Sequence, residues 1–181
     1  MNSSNHEPGH SAIYPQLTLR ETIDDDLPIF FQHQLDPVAI HMAAFTAKDP
    51  SNREAFMAHW TKIRNMDSVL IRTILVDNVV VGSVLKYEDE GHPEVSYWLG
   101  REHWGKGFAT QALRAFLEVF PVRPVFARAS KDNTASLRVL EKCGFALCGE
   151  SRGFANARGE EIEEVILILK DFPAQRSSSC C

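Results

Sequence analysis

The chain has 181 residues, 44% hydrophobic, 24% charged and 9% aromatic, with a formal net charge of −5. A chain of this length and ordinary composition builds one core without staples, which excludes disordered, collagen-like and fibrous readings. Nineteen basic against twenty-four acidic residues argue against nucleic acid and suit cationic small molecules, and charges break every apolar run short of the ~18 residues of a membrane span.

Residues 1–15 and 173–181 carry no periodicity and are expected as loose termini around a single domain, 16–171. The first fifteen residues lack the cationic start and apolar stretch of a secretory signal. Cys143, Cys148, Cys180 and Cys181 make no C-x-x-C pair, so a reducing cytoplasm is the expected location. No His/Cys/Asp/Glu cluster has ligand spacing, and no metal is expected.

Residues 16–21 alternate as a short strand. Thr22 is expected to cap a helix whose early acids, Asp24, Asp25 and Asp26, suit a helix N-terminus. A second helix follows Asp49-Pro50, with Phe56, Met57, Trp60 and Ile63 on one face. The period then changes. Residues 69–76 and 79–87 are β-branched runs joined by Asp77-Asn78, a two-residue hairpin turn. A strand over 94–99 places Val95, Tyr97 and Leu99 on one face. A helix at 107–120 buries Ala109, Ala112, Leu113, Phe116, Leu117 and Phe120. Pro124 opens a strand over 125–129, and a helix over 133–143 is closed by Gly144. Two last strands, 145–154 and 161–169, flank the turn Asn156-Ala157-Arg158-Gly159. The order β-α-α-β-β-β-α-β-α-β-β predicts an α+β, three-layer domain: a central mixed, mostly antiparallel sheet flanked by helices.

The most specific local feature is Trp104-Gly105-Lys106-Gly107-Phe108-Ala109-Thr110, between a strand and a strong helix. Small residues at a helix mouth leave backbone N–H groups unshielded where the helix dipole favours anions, so a pyrophosphate fits there. Taken alone, the same string reads as a tight strand-to-helix turn. It is no P-loop, which argues against a nucleotide hydrolase. Asn133-Thr134-Ala135-Ser136 opens a second helix after a second strand, and Glu141-Lys142-Cys143-Gly144-Phe145 closes it. Asn133 alone reads as a helix cap, and Ser136 alone as an ordinary helical residue.

Together the stretches YWLGREHWGKGFATQAL and NTASLRVLEKCGF resemble the GNAT acetyltransferase superfamily, especially its ribosomal-protein N-terminal alanine and serine acetyltransferase branch. In the superfamily pattern Q/R-x-x-G-x-G/A, Trp104 takes the first position, and Gly107 and Ala109 the small ones. The resemblance implies a GNAT fold and an acetyl-CoA co-substrate. The backbone of Gly105, Lys106, Gly107, Phe108, Ala109 and Thr110, with Trp104, would hold its pyrophosphate. Its pantetheine would run beside the main chain of Tyr97, Trp98 and Leu99, in a gap next to strand 125–129. Asn133 and Ser136 would approach the pantetheine and sulfur, while Lys142 reads as a surface lysine that could also approach the phosphates.

The implied reaction is attack of an amine on the thioester. An amine of pKa ~10 is about one part in a thousand free base at pH 7, whereas an α-amino terminus of pKa ~8 needs less help. Glu94, which begins the strand beside the expected thioester, is the candidate base; the bland reading is an exposed strand-end glutamate. His92 and His103 lie nearby without fitting a motif. Many relatives carry a tyrosine in the second helix that protonates the leaving thiolate, and Leu140 stands at that position. Ser136 is then the candidate hydrogen-bond donor to sulfur. The acceptor stays open between a protein N-terminus and a small-molecule amine such as an antibiotic, polyamine or amino-acid-like compound. A non-catalytic coenzyme A-binding regulatory domain is the non-enzymatic alternative, and a homodimer is an admissible assembly. The acids at 24–26 and 88–90 could draw in a cation or simply be solvated.

Overall fold

In the computed structural model, which describes residues 15–170, strand β1 (Leu17–Glu21) leads through a 3-10 turn at Asp24–Asp26 into three helices. These are α1 (Leu27–Gln34), α2 (Pro37–Ala43) and α3 (Arg53–Arg64). Apart from Pro15, the expected loose termini lie outside the described residues, as do Cys180 and Cys181. Thr22 is not a cap: its hydroxyl bonds to that of Thr73, 2.9 Å away on the neighbouring strand. Nor is the acidic run uniformly solvated. Asp26 is buried, paired with Arg20 through two contacts of 2.6 Å, and accepts from the Thr73 hydroxyl and the Ile23 N–H. Helix α2 goes beyond the expected elements. Asp36 caps it by accepting from the N–H groups of Val38 and Ala39, and Pro37 supplies a preset first turn.

Strands β2 (Leu70–Val76), β3 (Val79–Asp89) and β4 (His92–Leu99) form a meander through two tight turns. Asp77 and Asn78 both have positive φ (50° and 65°), as do Glu90 and Gly91 (49° and 79°). Such turns carry a twist that matches the strands they join. Helix α4 (Phe108–Val119), β5 (Val125–Ser130), α5 (Thr134–Lys142), β6 (Ala146–Ala155) and β7 (Glu160–Leu169) complete the chain. The seven strands lie in the order β1-β2-β3-β4-β5-β7-β6, antiparallel throughout except for β4 and β5. The expected α+β architecture is therefore present.

Each sheet face has its own core. On one, Ala112, Leu113, Phe116 and Leu117 of α4 and Leu140 of α5 pack on Val84, Val95, Leu99, Val125, Ala127 and Leu167. On the other, Leu27, Phe30 and Phe31 of α1 and Phe56 and Trp60 of α3 pack with Ile71. Side chains alternate across a strand, so β4 sends Val95, Tyr97 and Leu99 to the first face and Glu94, Ser96 and Trp98 to the second. Among the described residues, no helix is long and apolar enough to cross a membrane.

Candidate active site

The parallel pair β4 and β5 meets at one register position, Glu94 opposite Phe126. Among the described residues no further register pair joins the two strands beyond it, so the later part of β4 is not zipped to β5. This is the gap expected beside strand 125–129. Both strands run directly into the loops that begin α4 and α5, so the gap opens toward two helix N-termini.

After β4, a 3-10 turn at Arg101–His103 delivers the chain to the glycine loop. Gly105 (φ 73°) and Gly107 (φ 80°) are both left-handed, and a Cβ added at Gly105 would meet nothing within 4 Å. Backbone conformation, not crowding, therefore calls for glycine there. Gly107 takes the α4 cap position without a side-chain cap, and Gln111 N–H is bonded to Gly107 C=O. The first-turn donors of Phe108, Ala109 and Thr110 lie ahead of that bond, at the positive end of the helix dipole. Trp104, Gly105, Lys106 and Gly107 are exposed. The Trp104 indole N–H donates to Leu99 C=O (3.0 Å), tying the loop to the end of β4. The Phe108 side chain is buried in the core, leaving only its backbone for the loop.

At the second helix mouth, Asn133 caps α5 by accepting from Ser136 N–H (3.1 Å), and its amide donates to Met42 C=O (3.0 Å). Both ends of that amide are thus committed, and Asn133 positions the first turn of α5. The Ser136 hydroxyl lies 2.8 Å from the Tyr97 hydroxyl, which also donates to Ser136 C=O (3.3 Å). This pair joins β4 to α5. Burial pushes the Tyr97 phenol up to about 12, so it keeps its proton at neutral pH. Sequence reasoning had used only the main chain of Tyr97, although its alternation with Val95 and Leu99 already aimed the ring toward α5. Leu140 is 1% exposed, a core residue rather than a donor. Lys142 is exposed, and its carbonyl accepts from Arg114 (2.7 Å).

Glu94 lies on the opposite face and is only 3% exposed, unlike the exposed strand-end glutamate of the bland reading. Its carboxylate accepts from the Tyr87 hydroxyl (2.9 Å) and from Arg128 Nε (2.8 Å). Arg128 also reaches Asp89 (3.2 Å) and Glu164 (3.7 Å). The hydrogen bond to Glu94 raises the Arg128 guanidinium, while burial and Glu94's charge raise the Tyr87 phenol. A single arginine inside the strand Val-Phe-Ala-Arg-Ala-Ser was the available signal for a buried acidic partner. On the same face, Phe30, Phe56, Trp60, Trp98, His33, Gln34 and Ser83 line a small cavity. The Trp98 indole N–H and His33 Nδ1 have no hydrogen-bond partner among the described residues.

The β6–β7 turn closes this side. Arg158 forms a two-pronged pair with Asp132 (2.6 and 3.0 Å) and donates to His41 C=O (3.1 Å). Those hydrogen bonds hold the Asp132 carboxyl below its ordinary value. Ala157 N–H donates to Ala44 C=O and Asn156 to Thr46 C=O. The end of α2, the α5 cap and the β6–β7 turn are thereby one connected wall.

A strand pair opening onto two helix mouths, one uncapped and glycine-rich, defines a class. Residues 16–146 match the family model of the acetyltransferase (GNAT) domain. The chain belongs to that family and is an N-acetyltransferase. It is 26% identical over 166 residues to an uncharacterized N-acetyltransferase, p20, of Bacillus licheniformis, covering 85% of this chain and 92% of the relative. Among solved structures, RimL, a ribosomal-protein α-N-acetyltransferase in complex with coenzyme A, superposes with a TM-score of 0.73 at 19% identity, covering 86% of this chain and 94% of RimL. Spermidine N-acetyltransferase from Vibrio cholerae, in complex with coenzyme A and spermine, gives 0.70 at 19% identity, covering 84% and 95%. At these identities the two structures speak for the fold.

Proposed function

We propose that this chain transfers an acetyl group from acetyl-CoA to a primary amine by direct attack on the thioester. The observation that carries the reading is the parting of β4 and β5 beside the uncapped α4 N-terminus, with the Tyr97–Ser136 hydroxyl pair at its α5 side. The N–H groups of Gly105 to Thr110 hold the pyrophosphate, with Lys106 adding positive charge and Trp104 fixing the loop. The main-chain groups that β4 turns toward the gap over Tyr97, Trp98 and Leu99, with the Leu99 carbonyl shared with the Trp104 indole, pair with the pantetheine amides as a further strand would. The sulfur then faces α5, where Ser136, backed by Tyr97 and the first-turn dipole, stabilises developing negative charge.

The amine reaches the carbonyl from the other face, on which Glu94 lies. Its lone pair forms the C–N bond, the tetrahedral intermediate collapses, and the C–S bond breaks to release coenzyme A. The amine's proton leaves toward Glu94, directly or through water. Arg128 and Tyr87 orient that carboxylate. The acceptor best supported is a protein N-terminal α-amine. The lining of the cavity beside Trp98 is aromatic with neutral or imidazole groups and no carboxylate, which suits a small neutral side chain better than a polycation. A second reading, a small polyamine-like acceptor, is favoured by three acids, Asp89, Glu94 and Glu164, around the lone Arg128. A thiol-release screen with acetyl-CoA against polyamines, aminoglycosides and short peptides varied at the first residue tests both. Peptide-dependent release with discrimination at residue one supports the first reading, and release driven by polyamines alone replaces it with the second. No release with any amine contradicts the proposal.

A further inference from the structure

Three potential metal ligands, from segments about seventy residues apart in sequence, converge beside the glycine loop. His33 comes from the last turn of α1, and Glu102 and His103 from the 3-10 turn after β4. His33 Nε2 lies 3.7 Å and His103 Nε2 3.4 Å from Glu102 Oε1, and all three donor atoms lie within 4.8 Å of one another. Tetrahedral zinc, with bonds of about 2.0–2.1 Å to imidazole, needs ligand atoms roughly 3.3 Å apart. The two imidazole-to-carboxylate spacings are already near that value. The two imidazole rings stand edge to face with centroids 6.2 Å apart.

A second feature points to the same spot. Gly100 has φ −55° and ψ 139°, a conformation open to most residues. Its backbone therefore does not require glycine. A Cβ there would lie 2.7 Å from Cδ2 and Nε2 of His33 and 2.9 Å from Glu102 Oε1. The missing side chain is what lets the imidazole and the carboxylate come together. His33 is nine-tenths buried and fixed, whereas Glu102 is exposed and free to adjust.

We propose that His33, Glu102 and His103 form a binding site for a divalent transition cation, best fitted by Zn²⁺, which ties the end of α1 to the β4–α4 connection. Two imidazoles and one carboxylate select this class over Mg²⁺ or Ca²⁺, and three protein ligands leave a position for water. His33 also lines the cavity beside Trp98, but the proposal uses no residue assigned to the chemistry of transfer.

Calorimetric titration of ZnCl₂ into the chelator-treated full chain tests it. The expected result is one saturable equivalent, weakened at least tenfold in Glu102→Gln and in His103→Gln, both of which change side chains outside the core. Gly100→Ala is expected to weaken it too. Co²⁺ serves as the spectroscopic probe, with ligand-field bands and no thiolate charge-transfer band expected. Absence of saturable binding, unchanged affinity in both the Glu102 and His103 variants, or a thiolate band that assigns the metal to cysteine would each overturn the site.

Discussion

Tyr97 and Ser136 share a proton-bearing contact of 2.8 Å at the α5 mouth and act as one unit in the proposed mechanism. A hydrogen bond to a charged group contributes about 1.5–3 kcal/mol, so Ser136→Ala is expected to slow acetyl transfer roughly ten- to a hundredfold. Tyr97→Phe should slow it less, and the double variant no more than the worse single one, because residues acting together are not additive. Coenzyme A affinity, measured separately by calorimetry, should change little. Of these two residues, Ser136 was legible from its motif. The Tyr97 hydroxyl was not, because a pairing across 39 residues depends on how β4 and α5 are packed. A second expectation concerns Asp26. Burial alone would raise its carboxyl, but hydrogen bonds from Arg20, Ile23 N–H and Thr73 outweigh burial and hold it below the usual value. A depressed carboxyl contributes its stability in full above its unfolded value, about 4, and loses it as pH falls through the native one. Urea denaturation at pH 5 and pH 3 should show Asp26→Asn less stable than the parent at pH 5 and losing less stability on acidification.

Among the elements, the glycine loop and the close approach of β3 to β4 depend most on a missing side chain. Gly107→Val places a β-branched residue at φ 80° in the bed proposed for the pyrophosphate. At least a tenfold weaker affinity for coenzyme A is expected in calorimetric titration, about 1.4 kcal/mol, with the fold intact by circular dichroism. Gly82 is different in kind. Its Cβ would lie 2.1 Å from Trp98 C=O, a backbone atom, so Gly82→Ala must push β3 from β4. Thermal unfolding should show a loss of about 2 kcal/mol or more, in the range of overpacked interiors. The strands, hairpins and capped helices were legible because period and turn chemistry act locally. Helix α2 was overlooked although Asp36-Pro37 carried a cap and a first-turn proline. Its seven residues are too few to establish a helical period, and packing against α1 supplies what propensity does not.

At the scale of the whole molecule, the order β4-β5-β7-β6 places one parallel junction among antiparallel neighbours and puts the gap next to two helix N-termini. The sequence pattern led to this gap through resemblance, since no local rule states where two strands will part. The same topology seats Arg128 against Glu94 and wires the β6–β7 turn to the end of α2, neither of which is written in any spacing. In the proposed mechanism the sheet thereby separates two roles: amine deprotonation on the Glu94 face and thiolate stabilisation on the Ser136 face. Single-turnover acetyl transfer followed across pH in Glu94→Gln and Ser136→Ala tests this division most directly. Glu94→Gln is expected to be slowest near neutral pH and to recover as free amine accumulates, while Ser136→Ala is expected to be slowed by a similar factor throughout. Parallel pH profiles for the two variants, or parental rates in both, would contradict it.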